Sequence, residues 1–200
     1  DSHIMRSYKN LKSRSVGVNL LDMEKVLLTS GGARSHSMIP RSIVRISLSV
    51  EMGGAPVELS EVFGTRGQFE DVFEKPESLF PKIAKLYGHL MKKAEGIFPE
   101  AGNRECVLGA ELAGILAHEA IGHTTEADFV MGGSVAGNLL NQEVASPLVN
   151  LVDFANTAFG KTCPVPVYID DEGTNAEDAV IIDKGVLKAF MHNKESAEYF

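Results

Sequence analysis

Between Val44 and Val50 the chain alternates apolar and polar residues without a break: Val44, Ile46, Leu48 and Val50 are separated by Arg45, Ser47 and Ser49. A period of two places all four apolar side chains on one face only if the backbone is extended, so this stretch predicts a strand with one buried face. Gly53-Gly54-Ala55-Pro56 suits a hairpin turn, and Val57 to Phe63 reads as the returning strand. Upstream, Val16 to Ser30 reads as two short strands around Asp22-Met23-Glu24, closed by a turn at Thr29-Ser30-Gly31-Gly32. The stretch as far as Thr65 therefore predicts an antiparallel sheet, ended by Gly64-Thr65-Arg66-Gly67.

The period then changes. From Pro76 to Gly96, Leu79, Phe80, Ile83, Leu86, Tyr87, Leu90, Met91 and Ala94 recur at steps of three and four, the stripe of a core-facing helix, with proline in the first turn and glycine at the stop. Arg104 to Leu108 is a strand candidate, and Gly109 opens a second helix over Ala110 to Gly122. Leu148 to Phe154 and Val165 to Ile169 read as strands, and Ala179 to Asp183 with Val186 to Met191 as a hairpin around Asp183-Lys184-Gly185. Asn193 begins a short helix running to Phe200. Together these predict an α+β fold in three parts. Residues 1–15 are a leader or linker, partly vector-like at Asp1-Ser2-His3-Ile4-Met5, so His3 is left out of metal arguments. Residues 16–108 are sheet plus long helix; residues 109–200 are the second helix followed by strands. Ending in mid-helix, the sequence reads as a piece of a longer chain.

Composition excludes several classes. With 44% hydrophobic and 23% charged residues the chain is of globular type. No apolar run reaches the roughly 18 residues of a membrane helix, and no secretory pattern opens the sequence. A net charge of −8 argues against direct nucleic-acid binding, which needs a basic face. The local basic run of Arg6, Lys9, Lys12 and Arg14 reads as a solvated edge. Cys106 and Cys163 do not make a disulfide framework, so a reduced, cytoplasmic setting is expected, with Cys106 a small buried hydrophobe.

The second helix carries His118-Glu119-Ala120-Ile121-Gly122-His123. Zinc peptidases commonly use His-Glu-x-x-His, whose histidines lie ~40° apart around an α-helix and reach one ion, while the glutamate takes a proton from the attacking water. Here the spacing is one residue longer, which on a regular α-helix separates the rings by ~140°. Either a π-type turn brings positions i and i+5 together, or the helix ends at Gly122 in a left-handed conformation and turns His123 back. A departure from α geometry between Glu119 and His123 is therefore expected. Spacing alone leaves a metal site and a chance cluster on a helix surface equally open. Leu112, Ile115 and Leu116 favour the former, by burying one face and setting His118 at the core's edge.

The surroundings are more specific than the six residues. Gly109 to His123, followed by Glu126-Ala127-Asp128-Phe129, resembles the TldD/PmbA family, formerly described as modulators of DNA gyrase. Val26-Leu27-Leu28-Thr29-Ser30, Val144 to Val149, Ile169 to Thr174 and Gly185 to Lys188 agree in order. Retention of His-Glu-x-x-x-His is similar to the TldD branch rather than the PmbA branch. The resemblance implies a metallopeptidase in which His118 and His123 bind zinc and Glu119 is the general base. A further ligand, a cysteine, is expected beyond Phe200, and Cys163 does not match its position. It also implies action on flexible or unfolded peptides, in peptide maturation or small-protein turnover, with a PmbA-like partner subunit or as a homodimer. A non-hydrolytic scaffold subunit, modulating gyrase by contact, is the alternative. Dipeptidyl peptidase III also uses the longer spacing, but its companion acidic motif is not found.

Glu126 and Asp128 are candidates to orient a histidine from behind, or are simply exposed. Asp170-Asp171-Glu172 reads as a charged turn in preference to a cation site. His36, His89 and His192 stand alone and read as surface or packing residues.

Overall fold

A computed structural model describes residues 1–200 as two compact units, one of residues 1–25 and 36–102, the other of residues 26–35 and 103–200. The α+β class holds.

Helix α1 (Ser2–Ser7) leads into β1 (Ser13–Leu28), β2 (Arg34–Met52) and β3 (Ala55–Arg66), an antiparallel β2–β3 hairpin with β1 on the other side of β2, all in the first unit except residues 26–28 and 34–35. The alternation at Val44–Val50 does what its period requires: Val44, Ile46, Leu48 and Val50 are all buried, and Leu48 is wholly inaccessible. In register, Val44 faces Phe63 and Leu48 faces Leu59. The turn between the strands needs two consecutive left-handed residues, and Gly53 and Gly54 supply φ of 59° and 81°. A short helix, α2 (Phe69–Val72), and a 3₁₀ turn at Pro76–Leu79 precede α3 (Phe80–Ala94). Ile83, Leu86 and Leu90 of α3 complete the core with Phe73 and Ile4.

Two expectations change here. The stretch predicted as two strands from Val16 lies in one continuous strand of 16 residues, Ser13–Leu28, because Asp22-Met23-Glu24 carries no glycine or proline to break the extended backbone. Residues 1–15 contribute α1 and the start of β1, with Ile4 only 1% exposed and the His3 ring stacked on Phe80 at 3.7 Å.

In the second unit, α4 (Ala110–Ala117) runs into the motif turn, and α5 (Ala127–Met131) follows. The strands β4 (Leu151–Asp153), β7 (Ala179–Asp183) and β8 (Val186–Leu187) form a small antiparallel sheet in the order β4-β7-β8. Between them lies a two-stranded ribbon, β5 (Thr157–Ala158) and β6 (Lys161–Thr162). The chain closes in α6 (Lys194–Tyr199), capped by reciprocal hydrogen bonds between Asn193 and Ser196. Ile181, Ile182, Leu187 and Phe190 pack with Ala127 and Val130 of α5 as the core. The predicted hairpin at Asp183-Lys184-Gly185 forms, with Lys184 and Gly185 at φ of 47° and 83°.

Other expectations are corrected. Arg104 to Leu108 is not a strand: it belongs to no β-ladder, and Val107 is fully exposed. Cys106 is exposed rather than buried. Val165 to Ile169 makes only an isolated bridge at Ile169, since Pro164 and Pro166 remove two of the N–H groups a ladder would use. No helix of the chain is long and apolar enough to cross a membrane.

Candidate metal centre

The helix departs from α geometry where the spacing requires. Regular α turns end at Ala117; His118–Gly122 is a π turn, in which the His123 N–H reaches the His118 carbonyl; His123–Thr125 tightens into a 3₁₀ turn. Closing a hydrogen bond from i to i+5 sets those two residues one above the other, removing the ~140° separation of an α-helix. The His118 and His123 rings lie 4.5 Å apart between centroids, inclined at 66°. Of the two routes open from the sequence, the π turn is the one used. Gly122 stays right-handed, with φ −50° and ψ −63°.

A π turn followed by a 3₁₀ turn leaves carbonyls without their usual partners, and two adjacent threonines satisfy them. Thr124 Oγ1 donates to the Ala120 and Ile121 carbonyls at 3.1 and 3.0 Å. Thr125 Oγ1, only 1% exposed, donates to Ile121 and Gly122 at 2.8 and 3.1 Å. Ser134 Oγ in turn donates to the Thr124 carbonyl at 2.6 Å. Backbone bonds Ala127 N to Met191 O and Met191 N to Thr125 O, both 2.9 Å, tie the end of the turn to the segment after β8. Sequence reasoning missed these residues; the signal available was a Thr-Thr pair directly after the second histidine.

One donor atom from each of His118, Glu119 and His123 lies within 4.8 Å of the others, and no other histidine, cysteine, aspartate or glutamate joins this group. All three are exposed. His123 has its two nitrogens differently engaged. Nδ1 is 2.8 Å from Glu126 Oε1, and Nε2 faces Glu119 Oε2 at 3.8 Å. Glu126 therefore sits behind the ring, where a carboxylate fixes the tautomer that leaves Nε2 unprotonated. Asp128, the other residue considered for that position, instead accepts from the Phe129 N–H at 2.9 Å and makes no bond to either histidine.

Two imidazole nitrogens and a carboxylate suit a divalent metal of borderline softness. Two imidazoles alone do not complete a four-coordinate site, and Cys163 lies outside the group.

Two depressions border the histidines. One, of about 390 Å³, has Gly114, Ala117 and His118 in one wall and Leu151, Ile181 and Met191 in the other. The second, of about 540 Å³, is bordered by His123, Asp128, Phe129 and the glycines 132 and 133. The expected burial of one face of α4 does not occur: Leu112, Ile115 and Leu116 are each more than half exposed.

The acidic turn does structural work. Asp170 Oδ1 accepts from the Glu172 and Thr174 N–H groups, and Glu172 Oε2 accepts from the Lys194 N–H at the start of α6. Partial burial raises the Asp170 pKa, but the backbone bonds from Thr174 and Glu172, the Thr174 hydroxyl and the Lys194 charge outweigh it and hold the carboxyl below its ordinary value. Of the solitary histidines, His36 pairs with Glu24 at 2.8 Å on the surface and His192 with Ser196 at 3.2 Å.

The family model described as PmbA/TldA metallopeptidase C-terminal domain matches residues 101–200. A zinc metalloprotease TldD homolog of Saccharolobus solfataricus is 33% identical over 159 residues, 79% of this chain and 34% of that protein. A metalloprotease of Methanocaldococcus jannaschii is 30% identical over 203 residues, covering 97% of this chain and 43% of its own length. The chain thus spans well under half of these curated relatives. Among solved structures, a protein described as a modulator of DNA gyrase from Bacteroides thetaiotaomicron superposes with a TM-score of 0.72 at 17% identity, covering 98% of this chain and 43% of that one. TldE from Thermococcus kodakarensis gives 0.65 at 14% identity, with 98% and 43% covered. With the family model running through the motif turn to the last helix, half of the chain, the chain belongs to the TldD/PmbA metallopeptidase family.

Proposed function

We propose that this chain carries the catalytic turn of a TldD-like zinc metallopeptidase that cleaves flexible or unfolded peptides. The observation that supports this most directly is the π turn: it places His118, Glu119 and His123 together, with Glu126 behind His123. His118 and His123 are the metal ligands in this reading, and zinc bound there would polarise the scissile carbonyl and acidify water. Glu119 accepts the proton of the attacking water and passes it to the leaving amine. Glu126 holds the His123 ring and its tautomer. Four-coordinate zinc calls for a further protein ligand besides the two histidines.

The relatives named zinc metalloprotease support the reaction class, and the likeness to TldE supports pairing with a PmbA-like subunit or a second copy. A role in peptide maturation or small-protein turnover, in the cytoplasm, belongs to the same reading; both cysteines are unpaired, as a reducing setting requires.

The test is made on the full-length protein, with its metal measured by elemental analysis and its activity on an unfolded peptide. Glu119→Ala is expected to keep the metal and to lose cleavage by about 10²–10⁴-fold, the range of general-base contributions. Full cleavage by that variant would remove the peptidase assignment, and an unaltered partner interaction without cleavage in either protein would favour a scaffold.

A further inference from the structure

The depression beside His118 has a composition that the motif turn does not explain. Its far wall is apolar, formed by Leu151 of β4, Ile181 of β7 and Met191. Its near wall is the part of α4 that carries Gly114, one turn before His118, and Ala117, directly before it. Gly114 lies inside a helix, where glycine is about 1 kcal/mol less favourable than alanine. Neither packing nor backbone demands it: a Cβ at Gly114 would meet no atom within 4 Å. The residue weakens the helix, and what it leaves in return is open space against the apolar wall.

The charged groups of the lining do not fill that space. Glu126 is committed to His123 at 2.8 Å, and Asp153 is exposed. The volume of about 390 Å³ falls in the range of roughly 300–1,000 Å³ of sites that enclose a small group. Its position decides what enters. His118 belongs to its wall and His123 to the lining of the second depression, so a peptide whose scissile bond lies at the trio brings a flanking residue to the depression beside His118.

We infer that the depression beside His118 is a specificity pocket for an apolar side chain of the peptide, next to the bond to be cut, and that Gly114 sets its depth. This rests on the peptidase reading and deepens it. Alternate side chains of an extended peptide point to opposite faces, so one residue enters while its neighbours turn away.

The experiment uses the full-length protein in its Glu119→Gln form, to measure binding without turnover, and the wild type with its metal, to map cut sites. The probes are unfolded peptides differing only in one residue flanking the cut: Gly, Ala, Leu, Phe or Lys. Leu or Phe at one position is expected to bind at least about 10-fold tighter than Gly, the scale of methylene discrimination in an apolar pocket. Gly114→Leu should erase that preference at that position alone, and Gly114→Ala should reduce it by less. A profile unchanged by both substitutions, a uniform loss across the series in both, or a preference for Lys overturns the pocket. Cleavage by wild type without side-chain preference removes the pocket but leaves the peptidase reading intact, whereas no cleavage and no binding removes both.

Discussion

His123 and Glu126 are joined through Nδ1 and Oε1 at 2.8 Å, three residues apart, across the point where the 3₁₀ turn gives way to α5. Engaging Nδ1 leaves Nε2 as the nitrogen that would face a metal in the proposed site. Glu126→Ala in the full-length protein is expected to weaken metal binding by about 10–100-fold, the usual cost of removing a carboxylate behind a ligating histidine. Glu126→Gln, which keeps an acceptor oxygen, should lose less. Competition against a chelator of known affinity measures both, and equal affinity in Glu126→Ala and wild type would mean that the carboxylate does not orient the ring.

The π turn depends on Thr125 as much as on the histidines. Its hydroxyl donates to the carbonyls of Ile121 and Gly122 from a buried position. Thr125→Val keeps the shape and removes the donor; the Ile121 carbonyl keeps the Thr124 hydroxyl, but the Gly122 carbonyl loses the threonine hydroxyl, at a cost of about 1–3 kcal/mol. Thr125→Ser should recover most of the loss. Denaturant unfolding of the three proteins gives the comparison, and a valine variant as stable as wild type would show that water replaces the hydroxyl.

The sheet hairpin and the long helix were legible because each signal is local: alternation at Val44–Val50, Gly53-Gly54 at the turn, a 3.6-residue stripe over α3. The motif's distortion was legible for the same reason, since a fixed helical pitch makes the extra residue impossible to ignore. The means of distortion was not, because Gly122 permits both routes and the choice is made by Thr124, Thr125 and the backbone bonds to Met191. Cys106 and the strand expected around it failed on context: an apolar run becomes a strand only where a ladder takes it in, and this segment joins no sheet.

Asp170 makes stability depend on pH in a stated direction. Its pKa is lowered from the ordinary 3.8 in the folded protein. A depressed carboxyl stabilises the fold above the unfolded value, and the contribution fades as pH falls below 3.8 through the folded value. Asp170→Asn, which cannot ionise, should therefore melt lower than wild type at neutral pH, and the gap should close in acid below that point. Melting curves of the two proteins across pH provide the check. A gap that stays constant into acid would mean that shape rather than charge accounts for the residue.

Periodicity states which face of a helix is able to be buried; it does not supply the surface that buries it. α3 and α4 make the contrast measurable. Leu90 of α3 is completely inaccessible, so Leu90→Ala should cost about 2–5 kcal/mol through lost transfer energy and an unfilled cavity. Leu112 of α4 is 54% exposed, and Leu112→Gln in this 200-residue chain should shift stability by no more than about 0.5 kcal/mol, the range of ordinary surface substitutions. Unfolding of the two variants in denaturant tests both figures. A large loss at Leu112 would require that another surface, such as a second copy of the chain, already covers α4 in solution, and a dependence of that loss on protein concentration would identify it.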